Sequence, residues 1–210
     1  MSNTASSSGV MAGKKGLIMG VANDRSIAWG IAAKLAEQGA ELAFTFQGEA
    51  LQKRVEPLAA SVGSDLVIPC DVTDEASMEA TFDVLKDKWG SLDFVLHAIA
   101  YSDKEELKGG YVDTSRDNFA RTMDISVYSF TDVARRAAAM MNDGGSMLSP
   151  TYYGAERVMP HYHVLGVAKA VLEASIPYLA LDFVRRHHRV HRLSAGPIKT
   201  FAPFGTGVFR

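Results

Sequence analysis

Residues 15–47 read KGLIMGVANDRSIAWGIAAKLAEQGAELAFTFQ, and this stretch decides the fold. An apolar run over residues 15–21, which contains Gly20, predicts a buried strand followed by a glycine turn. The helix predicted after the turn has one apolar stripe, formed by Ile27, Ile31 and Leu35. Gly39 ends this helix, and a second apolar run over residues 40–46 predicts the next strand. A strand–helix–strand unit of this kind implies parallel strands.

The turn between the first strand and the helix suits a dinucleotide. Gly20 lets the backbone turn close to a ligand, and the amides of Ser26 and Ile27 at the start of the helix can face a pyrophosphate. The spacing differs from the common G-x-G-x-x-G pattern, because the two glycines are Gly20 and Gly30 with Ser26 between them. A glycine-rich turn in a doubly wound protein without a nucleotide is the alternative at this point.

The alternation of strands and helices continues along the rest of the chain. Apolar runs over residues 65–70 and 92–97 predict two further strands, and residues 114–141 predict a long helix. A strand over residues 145–149 and a helix over about 160–183 follow. The sequence therefore predicts a Rossmann-type, doubly wound α/β fold with a parallel sheet.

The composition agrees with a single soluble domain. The chain has 210 residues, 47% of them hydrophobic, and its formal charge of −2 provides no basic excess for nucleic acid. Residues 1–12 are small and polar without the apolar centre of a signal peptide, so they are predicted to form a disordered tail before a single domain over residues 13–210. No apolar run is expected to approach membrane-spanning length, and the single cysteine, Cys70, suits a reducing cytoplasm.

Residues 151–169 read TYYGAERVMPHYHVLGVAK and contain a candidate catalytic pair. Tyr162 and Lys169 are seven residues apart, which on one helix returns both side chains to about the same face, ~10 Å apart along the axis. An ammonium near a phenol stabilises the phenolate, so the pair suits proton donation. A partly exposed aromatic helix face with a solvated lysine is the alternative.

Candidate cofactor contacts follow the predicted strands, because ligands of open parallel sheets bind at the carboxyl ends of the strands. Asp71 and Val72 follow the third predicted strand and are placed to contact an adenine. Ala98, Ile99 and Ala100 follow the fourth, where small residues permit the middle of the cofactor to approach closely.

Gln47 ends the second predicted strand, where NAD-binding proteins commonly carry Asp or Glu for the ribose hydroxyls. Its amide forms hydrogen bonds without repelling a 2′-phosphate, so it excludes neither NADH nor NADPH. Lys53 and Arg54 lie inside the next predicted helix and are interpreted as solvated side chains.

Together these features resemble the bacterial enoyl-acyl-carrier-protein reductases of type I, in the short-chain dehydrogenase/reductase superfamily. The resemblance covers residues 13–210. Its elements are Gly20-x5-Ser26-Ile27-x2-Gly30, Gln47, Cys70–Val72, His97–Ala100, Tyr152-x9-Tyr162-x6-Lys169 and SAGPIKT at Ser194–Thr200. The wider superfamily spaces its pair as Tyr-x3-Lys, and no tyrosine here has a lysine four residues later. This favours the enoyl reductases over the ketoreductases.

The resemblance implies an NADH-dependent reductase of trans-2-enoyl thioesters on acyl carrier protein, with NADPH as the alternative cofactor. It also implies a cytoplasmic homotetramer in fatty acid synthesis, with no nucleic acid, membrane or metal ion as partner. In its terms, Tyr162 donates a hydrogen bond to the enolate oxygen, and Lys169 holds the nicotinamide ribose. Tyr152 lines the acyl pocket, and Ile198 offers backbone groups to the nicotinamide carboxamide.

Several alternatives stay open on the sequence alone. Another short-chain dehydrogenase or ketoreductase would share the fold and cofactor, and a catalytically silent protein would bind NAD without turnover. A metal site at His187, His188 and His191 is rejected, because the surrounding stretch RRHHRVHR has no carboxylate or thiol and its arginines repel a cation. His97 is interpreted as a structural histidine.

The C-terminal third departs from the family pattern in four places. Pro150 ends a strand where an aliphatic residue is expected, and Pro177 lies inside the predicted helix at a cost of about 3 kcal/mol. FVRRHHRVHRLS at residues 183–194 replaces a stretch that usually has a glycine-bearing turn. The sequence stops after GPIKT, ahead of the last strand and helices expected of the family.

Overall fold

Six strands lie in the part of the chain that the computed structural model describes, residues 9–196 and 198. They are β1 (Lys15–Met19), β2 (Glu41–Phe46), β3 (Leu66–Pro69), β4 (Leu92–His97), β5 (Met141–Thr151) and β6 (Arg189–Ser194). All neighbours pair in parallel, in the order β3-β2-β1-β4-β5-β6. This is the Rossmann order, in which the direction of winding reverses between β1 and β4. The predicted fold class is confirmed.

Helices cover both faces of the sheet. They are α1 (Ile27–Glu37), α2 (Glu49–Ser61), α3 (Glu75–Trp89), α4 (Arg116–Met123), α5 (Ser129–Ala138) and α6 (His163–Phe183). In β1, Leu17 and Met19 enter the core beneath α3, α5 and α6, whereas Ile18 enters the core beneath α1 and α2. Side chains of a strand alternate between faces, so a strand covered on both sides is apolar throughout. This explains the unbroken apolar run at the start of the domain.

The long helix predicted over residues 114–141 is interrupted by a π-helical turn. α4 runs into this turn, Asp124–Tyr128, and α5 continues directly after it. A π turn bonds each residue to the fifth along the chain, so it accommodates an extra residue and is frequent at functional sites. The stretch contains neither glycine nor proline, so its composition did not predict the interruption.

Prolines lie inside helices in two places. α6 continues through Pro177, and α2 continues through Pro57. Both prolines are exposed, so each ring lies on the solvent side of its helix. The missing N–H leaves one helical carbonyl without its usual donor in each case. A proline within a helix is therefore not confined to the C-terminal third.

Residues 9–12 were predicted to belong to a disordered tail, and the structure places them against the end of α1. The Met11 amide donates to the Gln38 carbonyl at 3.0 Å, and the Val10 amide donates to the Gln38 side chain at 3.4 Å. The Met11 side chain packs against the core beneath α1 and α2. A tail boundary at residue 12 is wrong for these four residues, and residues 1–8 lie outside the described part.

One described helical segment, His163–Arg186, has the length and apolar composition of a membrane span. It comprises α6 and the short 3-10 turn after it. The expectation that no apolar run approaches that length is therefore wrong. Ala168, Leu172 and Ile176 pack against the sheet, and a core helix of this kind meets the same criteria as a membrane helix.

Candidate active site

The turn after β1 lies against the segment after β4, at the reversal of strand order. Gly20 has a φ of +96°, and a Cβ placed on it would lie 2.1 Å from the carbonyl oxygen of Ala98. Ala98 extends β4 by donating its amide to the Met19 carbonyl at 3.0 Å. Both the conformation and the space therefore require glycine at position 20. Open α/β sheets bind their ligands in the crevice at this point.

The start of α1 supplies backbone amides at the same edge of the sheet. Ser26 is the N-cap residue, and its hydroxyl donates to the Asn23 carbonyl at 2.7 Å instead of capping the helix. The Ser26 amide donates to the same carbonyl at 3.2 Å and is already engaged. Amides of the first helical turn have no intrahelical acceptor, and they suit a pyrophosphate. Of the two predicted amides, that of Ile27 is the one left for this role.

Gln47 and Asp71 form a pair at the ends of β2 and β3. Nε2 of Gln47 donates to the Asp71 carboxylate at 2.7 Å, and the other carboxylate oxygen accepts from the amide and hydroxyl of Thr73. Partial burial acts to raise the pKa of Asp71, but hydrogen bonds from Thr73 and Gln47 outweigh it and hold the pKa below its ordinary value. Asp71 is therefore ionised at neutral pH, and the amide oxygen of Gln47 is left as an acceptor.

The other predicted cofactor contacts differ in exposure. Val72 and Ile99 are partly buried against the core beneath α3, and Ala98 packs on the opposite core. Ala100 is exposed. The segment after β4 thus goes from partly buried to exposed within three residues, and Ala100 is the most exposed of the three.

Tyr152 and Tyr162 meet at the carboxyl end of β5. Their ring centroids are 5.0 Å apart and their planes are inclined at 68°, an edge-to-face contact. The approach depends on two glycines that sequence reasoning did not single out. A Cβ on Gly154 would lie 2.6 Å from the Tyr162 ring, and one on Gly166 would lie 2.8 Å from the Gly154 carbonyl oxygen. The glycine two residues after Tyr152, in TYYG, was the available signal for a close approach at this point.

Tyr162 does not lie within the helix that carries Lys169, so the argument from a shared helix face was wrong. It occupies the N-cap position of α6, and the flanking His161 and His163 have φ values of +58° and +36°. Left-handed backbone at a non-glycine residue is strained, and such strain concentrates at functional sites. A strained entry to the helix, rather than helical periodicity, places the Tyr162 ring against Tyr152.

Lys169 is buried in α6 and is anchored by the main chain. Its ammonium donates to the carbonyl oxygen of Pro150 at 2.8 Å. Burial lowers the pKa of Lys169 to about 8, against the opposing effect of Glu173. Glu173 is itself held by the Thr151 hydroxyl at 2.6 Å and by Arg192 at 3.0 Å. The bond to Pro150 uses one of the three ammonium donors, which leaves two for a ligand.

The phenol of Tyr162 is not tuned in the predicted way. Burial, with a smaller contribution from Tyr152, raises its pKa above the ordinary value. The expectation that Lys169 stabilises the phenolate was wrong, because burial disfavours the charged form and dominates. A phenol in this state keeps its proton at neutral pH and is suited to donating a hydrogen bond.

His97 is fully buried at the end of β4, and its Nε2 lies 2.8 Å from the Ser129 hydroxyl. That hydroxyl donates to the Ile125 carbonyl at 2.6 Å, so it accepts from His97 and fixes the ring proton on Nε2. Burial, together with the positive charge of Lys169, lowers the pKa of His97 to about 3. Nε2 is thus satisfied, whereas Nδ1 is buried without a partner among the described residues. The neutral state of the ring agrees with the interpretation of a structural histidine.

The remaining predicted positions lie in the C-terminal stretch. Ile198 is half exposed. Its neighbours in the GPIKT motif, residues 197, 199 and 200, lie outside the described residues, as does any later strand or helix. His187 pairs with Asp143 at 3.0 Å, and within the described ranges no group of three or more His, Cys, Asp or Glu side chains is arranged to hold a metal ion.

The family model for enoyl-(acyl carrier protein) reductases matches residues 20–209. The chain belongs to the enoyl-acyl-carrier-protein reductase family. A curated relative from Rhizobium meliloti (strain 1021), named enoyl-acyl-carrier-protein reductase (NADH) 1, is 66% identical over 206 residues. That match covers 98% of this chain and 76% of the relative.

Solved structures of enoyl-acyl-carrier-protein reductases share the fold. The enzyme of Anaplasma phagocytophilum in complex with NAD has a TM-score of 0.91 and 56% identity, over 96% of this chain and 77% of that one. The Bacillus cereus enzyme with NADP+ and an indole naphthyridinone has a TM-score of 0.91 and 47% identity, over 94% and 77%. The predicted family, fold and class of activity are confirmed, and the names of the curated relatives agree with the prediction of NADH.

This enoyl reductase also contains a set of buried polar residues that sequence reasoning missed. They lie along α4, the π turn and α5, and they are Asn118, Thr122, Ser126 and Ser129. Their spacing of four, four and three residues places them on about one helical face. The recurrence of small polar residues on one face of the long helix predicted over residues 114–141 was the available signal.

Proposed function

We propose that this protein is an NADH-dependent enoyl-acyl-carrier-protein reductase that reduces the double bond of trans-2-enoyl thioesters in fatty acid synthesis. The observation that carries the proposal is the contact of Tyr152 with Tyr162 next to the strand end that anchors Lys169, in a chain of this family. The roles given below to individual residues are part of the proposal.

The carboxyl edge of the sheet fits a dinucleotide. The Gly20 turn and the Ile27 amide suit the pyrophosphate, and the two remaining donors of Lys169 suit the hydroxyls of the nicotinamide ribose. Asp71 and Val72 would contact the adenine, Ala98, Ile99 and Ala100 the middle of the cofactor, and the backbone of Ile198 the carboxamide. NADH, when bound, supplies the hydride for C3 of the enoyl group.

Charge at the end of β2 favours NADH over NADPH. The Gln47 amide oxygen can accept a hydrogen bond from a ribose hydroxyl, while the ionised Asp71 carboxylate lies one hydrogen bond away. A 2′-phosphate at this position would be repelled by that carboxylate. Asp71 thus supplies the negative charge that position 47 lacks. Lys53, which would compensate a phosphate, is exposed in α2 near Glu49.

The chain's own contribution to the chemistry is electrostatic. Negative charge develops on the thioester oxygen as the double bond is reduced, and Tyr162 donates a hydrogen bond to that oxygen. Burial helps this role, because it keeps the phenol protonated while excluding water that would weaken the bond. Tyr152 holds the Tyr162 ring edge to face and lines the acyl pocket.

We also propose a cytoplasmic homotetramer. The outer face of α6 exposes large apolar side chains away from the sheet, namely Val171, Tyr178 and Leu181. Large apolar side chains exposed together on one helix are typical of interaction sites in soluble proteins. Light scattering of the purified protein tests the stoichiometry. Conversion to smaller species by Leu181→Asp, without loss of helical circular dichroism, would support the α6 face as an interface.

The activity is tested by following NADH absorbance with a crotonyl thioester and with a longer enoyl chain on acyl carrier protein. We expect turnover with both, little with a 3-oxoacyl thioester, and faster turnover with NADH than with NADPH. Faster reaction of the 3-oxoacyl thioester would identify a ketoreductase instead. Binding of NADH without turnover of any enoyl thioester would identify a silent cofactor-binding protein.

A further inference from the structure

The buried polar face on the α4–α5 run contacts the backbone segment that follows β4. Its four residues are nearly inaccessible, with exposed fractions of 6% for Asn118, 0% for Thr122, 0% for Ser126 and 1% for Ser129. Polar groups at such depth are costly unless hydrogen-bonded. Each of them is bonded, and three of them bond to residues between 97 and 103.

Ser126 makes the central contact. Its hydroxyl accepts from the Tyr101 amide at 3.0 Å and donates to the Tyr101 carbonyl at 3.2 Å, so one side chain binds both main-chain groups of one residue. Ser126 lies in the π turn, Asp124–Tyr128. Arg121, in the preceding turn of α4, stacks its guanidinium 4.7 Å from the centre of the Tyr101 ring. Tyr101 is thus held at both backbone and side chain by one stretch of helix.

The two ends of the polar face hold the two ends of the same segment. The Asn118 side-chain oxygen accepts from the Asp103 amide at 2.9 Å, and the Thr122 hydroxyl donates to that oxygen at 3.3 Å. At the other end, the Ser129 hydroxyl accepts from His97 at 2.8 Å. The residues between these anchors include those predicted to contact the cofactor, Ala98, Ile99 and Ala100.

We propose that this polar face positions the segment from His97 to Asp103 for cofactor binding, with Ser126 as the principal positioning residue. The inference rests on the proposed function. Residues 98–100 carry no polar side chain, and Ala98 and Ala100 offer little area, so the side chains of this stretch give its backbone no hydrogen bonds where a ligand must approach closely. Fixing the backbone before the cofactor arrives spares the entropy of ordering it on binding. Ser126 supplies that order from behind the segment, without occupying the crevice.

The test compares Ser126→Ala with Ser175→Ala. Ser175 is also a helical serine, but its hydroxyl donates only to the Leu172 carbonyl of its own helix. Amide hydrogen exchange, NADH affinity by calorimetry, and steady-state kinetics are measured for both variants and for the parent protein. In Ser126→Ala we expect faster exchange of the Tyr101 amide and about five- to tenfold weaker NADH binding, the order of one net hydrogen bond.

A positioning role and a merely structural role would change different measured parameters. We expect the KM for NADH to rise in Ser126→Ala while the KM for the enoyl thioester and the melting temperature stay near those of Ser175→Ala. Ser126→Thr, which restores the hydroxyl, should recover NADH affinity. If the extra methyl prevents folding, Ser126→Cys keeps the volume with a weaker donor and should bind NADH as weakly as the alanine variant.

Two results would overturn the proposal: an unchanged exchange rate of the Tyr101 amide in Ser126→Ala, or NADH affinity equal to that of Ser175→Ala. Failure of the proposed function is recognised separately. In that case the parent protein itself would not turn over enoyl thioesters, while hydrogen exchange at Tyr101 would still report whether Ser126 holds the segment.

Discussion

The part of the chain before β5, where we propose that the cofactor binds, and the part from β5 onward, which carries the proposed catalytic residues, reach their backbone conformations by different means. We call them the cofactor half and the catalytic half. Every described residue with left-handed φ before β5 is a glycine, and Gly20, in the turn proposed to bind the cofactor, is one of them. From β5 onward, three described histidines adopt this conformation in addition to Gly144: His161, His163 and His187. Each such residue costs on the order of 1–2 kcal/mol, whereas glycine adopts the conformation freely.

This difference shows which interactions determine the backbone conformation in each half. In the cofactor half the residue types fit their local conformations, so short sequence patterns suffice. In the catalytic half the strained residues must be held by contacts between elements. One such contact is the pair of His187 with Asp143 at 3.0 Å. Lys169 and Glu173 in addition tie α6 to β5, through the Pro150 carbonyl and the Thr151 hydroxyl. Strain that persists only because its surroundings hold it is typical of functional sites.

The largest expected effect is at Gly20. In Gly20→Ala, the added Cβ would meet the Ala98 carbonyl, so the turn must move and NADH affinity should fall on the order of a hundredfold or more. Gly90→Ala is the matched control, because Gly90 also has left-handed φ but open space around its Cβ position. It should lose about 1 kcal/mol of stability and keep its NADH affinity. Calorimetric titration with NADH measures the affinity of both variants. Equal affinities would show that the Gly20 turn does not contact the cofactor.

Removing the Tyr162 hydroxyl should lower kcat. In Tyr162→Phe the ring contact with Tyr152 survives, but the donor to the developing oxyanion is lost, which typically costs about 10²- to 10³-fold. NADH affinity should stay at the parent value. Tyr111→Phe, which removes a hydroxyl from an exposed ring in the short 3-10 turn Tyr111–Asp113, serves as the control. A parent-like kcat in Tyr162→Phe would remove the assignment.

The charge on Lys169 should make NADH binding depend on pH. Its pKa of about 8 means that the ammonium is lost as pH rises through that value, so NADH affinity should fall there. Lys169→Met should bind NADH about tenfold more weakly at neutral pH and should lose this pH dependence of the affinity.

The stability of the fold should respond to pH in the opposite direction, because the unfolded chain binds more protons than the folded one between about pH 8 and pH 10.5. The free energy of unfolding attributable to Lys169 therefore rises with pH in that window. An NADH affinity that does not change between pH 8 and 10.5 would contradict the role of Lys169 in cofactor binding.

The smallest expected effect compares one proline from each half. Pro57→Ala and Pro177→Ala each remove an exposed ring from a helix interior and restore an N–H donor. Each should raise the free energy of unfolding by about 1–2 kcal/mol, net of the greater freedom of the unfolded chain. Urea denaturation measures both. A clear loss of stability in Pro177→Ala alone would show that the catalytic half has adapted its packing to the proline.

Local pattern explains how much of the fold was predictable. Apolar runs and the Gly20 turn fixed β1, α1 and β2, because each signal lies within a few residues of the structure it specifies. The Tyr152–Tyr162 contact was not predictable as geometry, since it depends on a strained helix entry and on two glycines brought together by the fold. The pairing of Gln47 with Asp71 joins neighbouring strand ends 24 residues apart, which no short motif encodes.

The anchor of Lys169 is a main-chain carbonyl, and every amino acid carries one. A side-chain partner would be lost if its residue were substituted, but no substitution at position 150 removes the carbonyl oxygen that accepts the hydrogen bond from Lys169. Pro150 can therefore stand where an aliphatic residue was expected, provided that β5 keeps its course. The position of Lys169 therefore depends on the path of the backbone and not on the identity of residue 150.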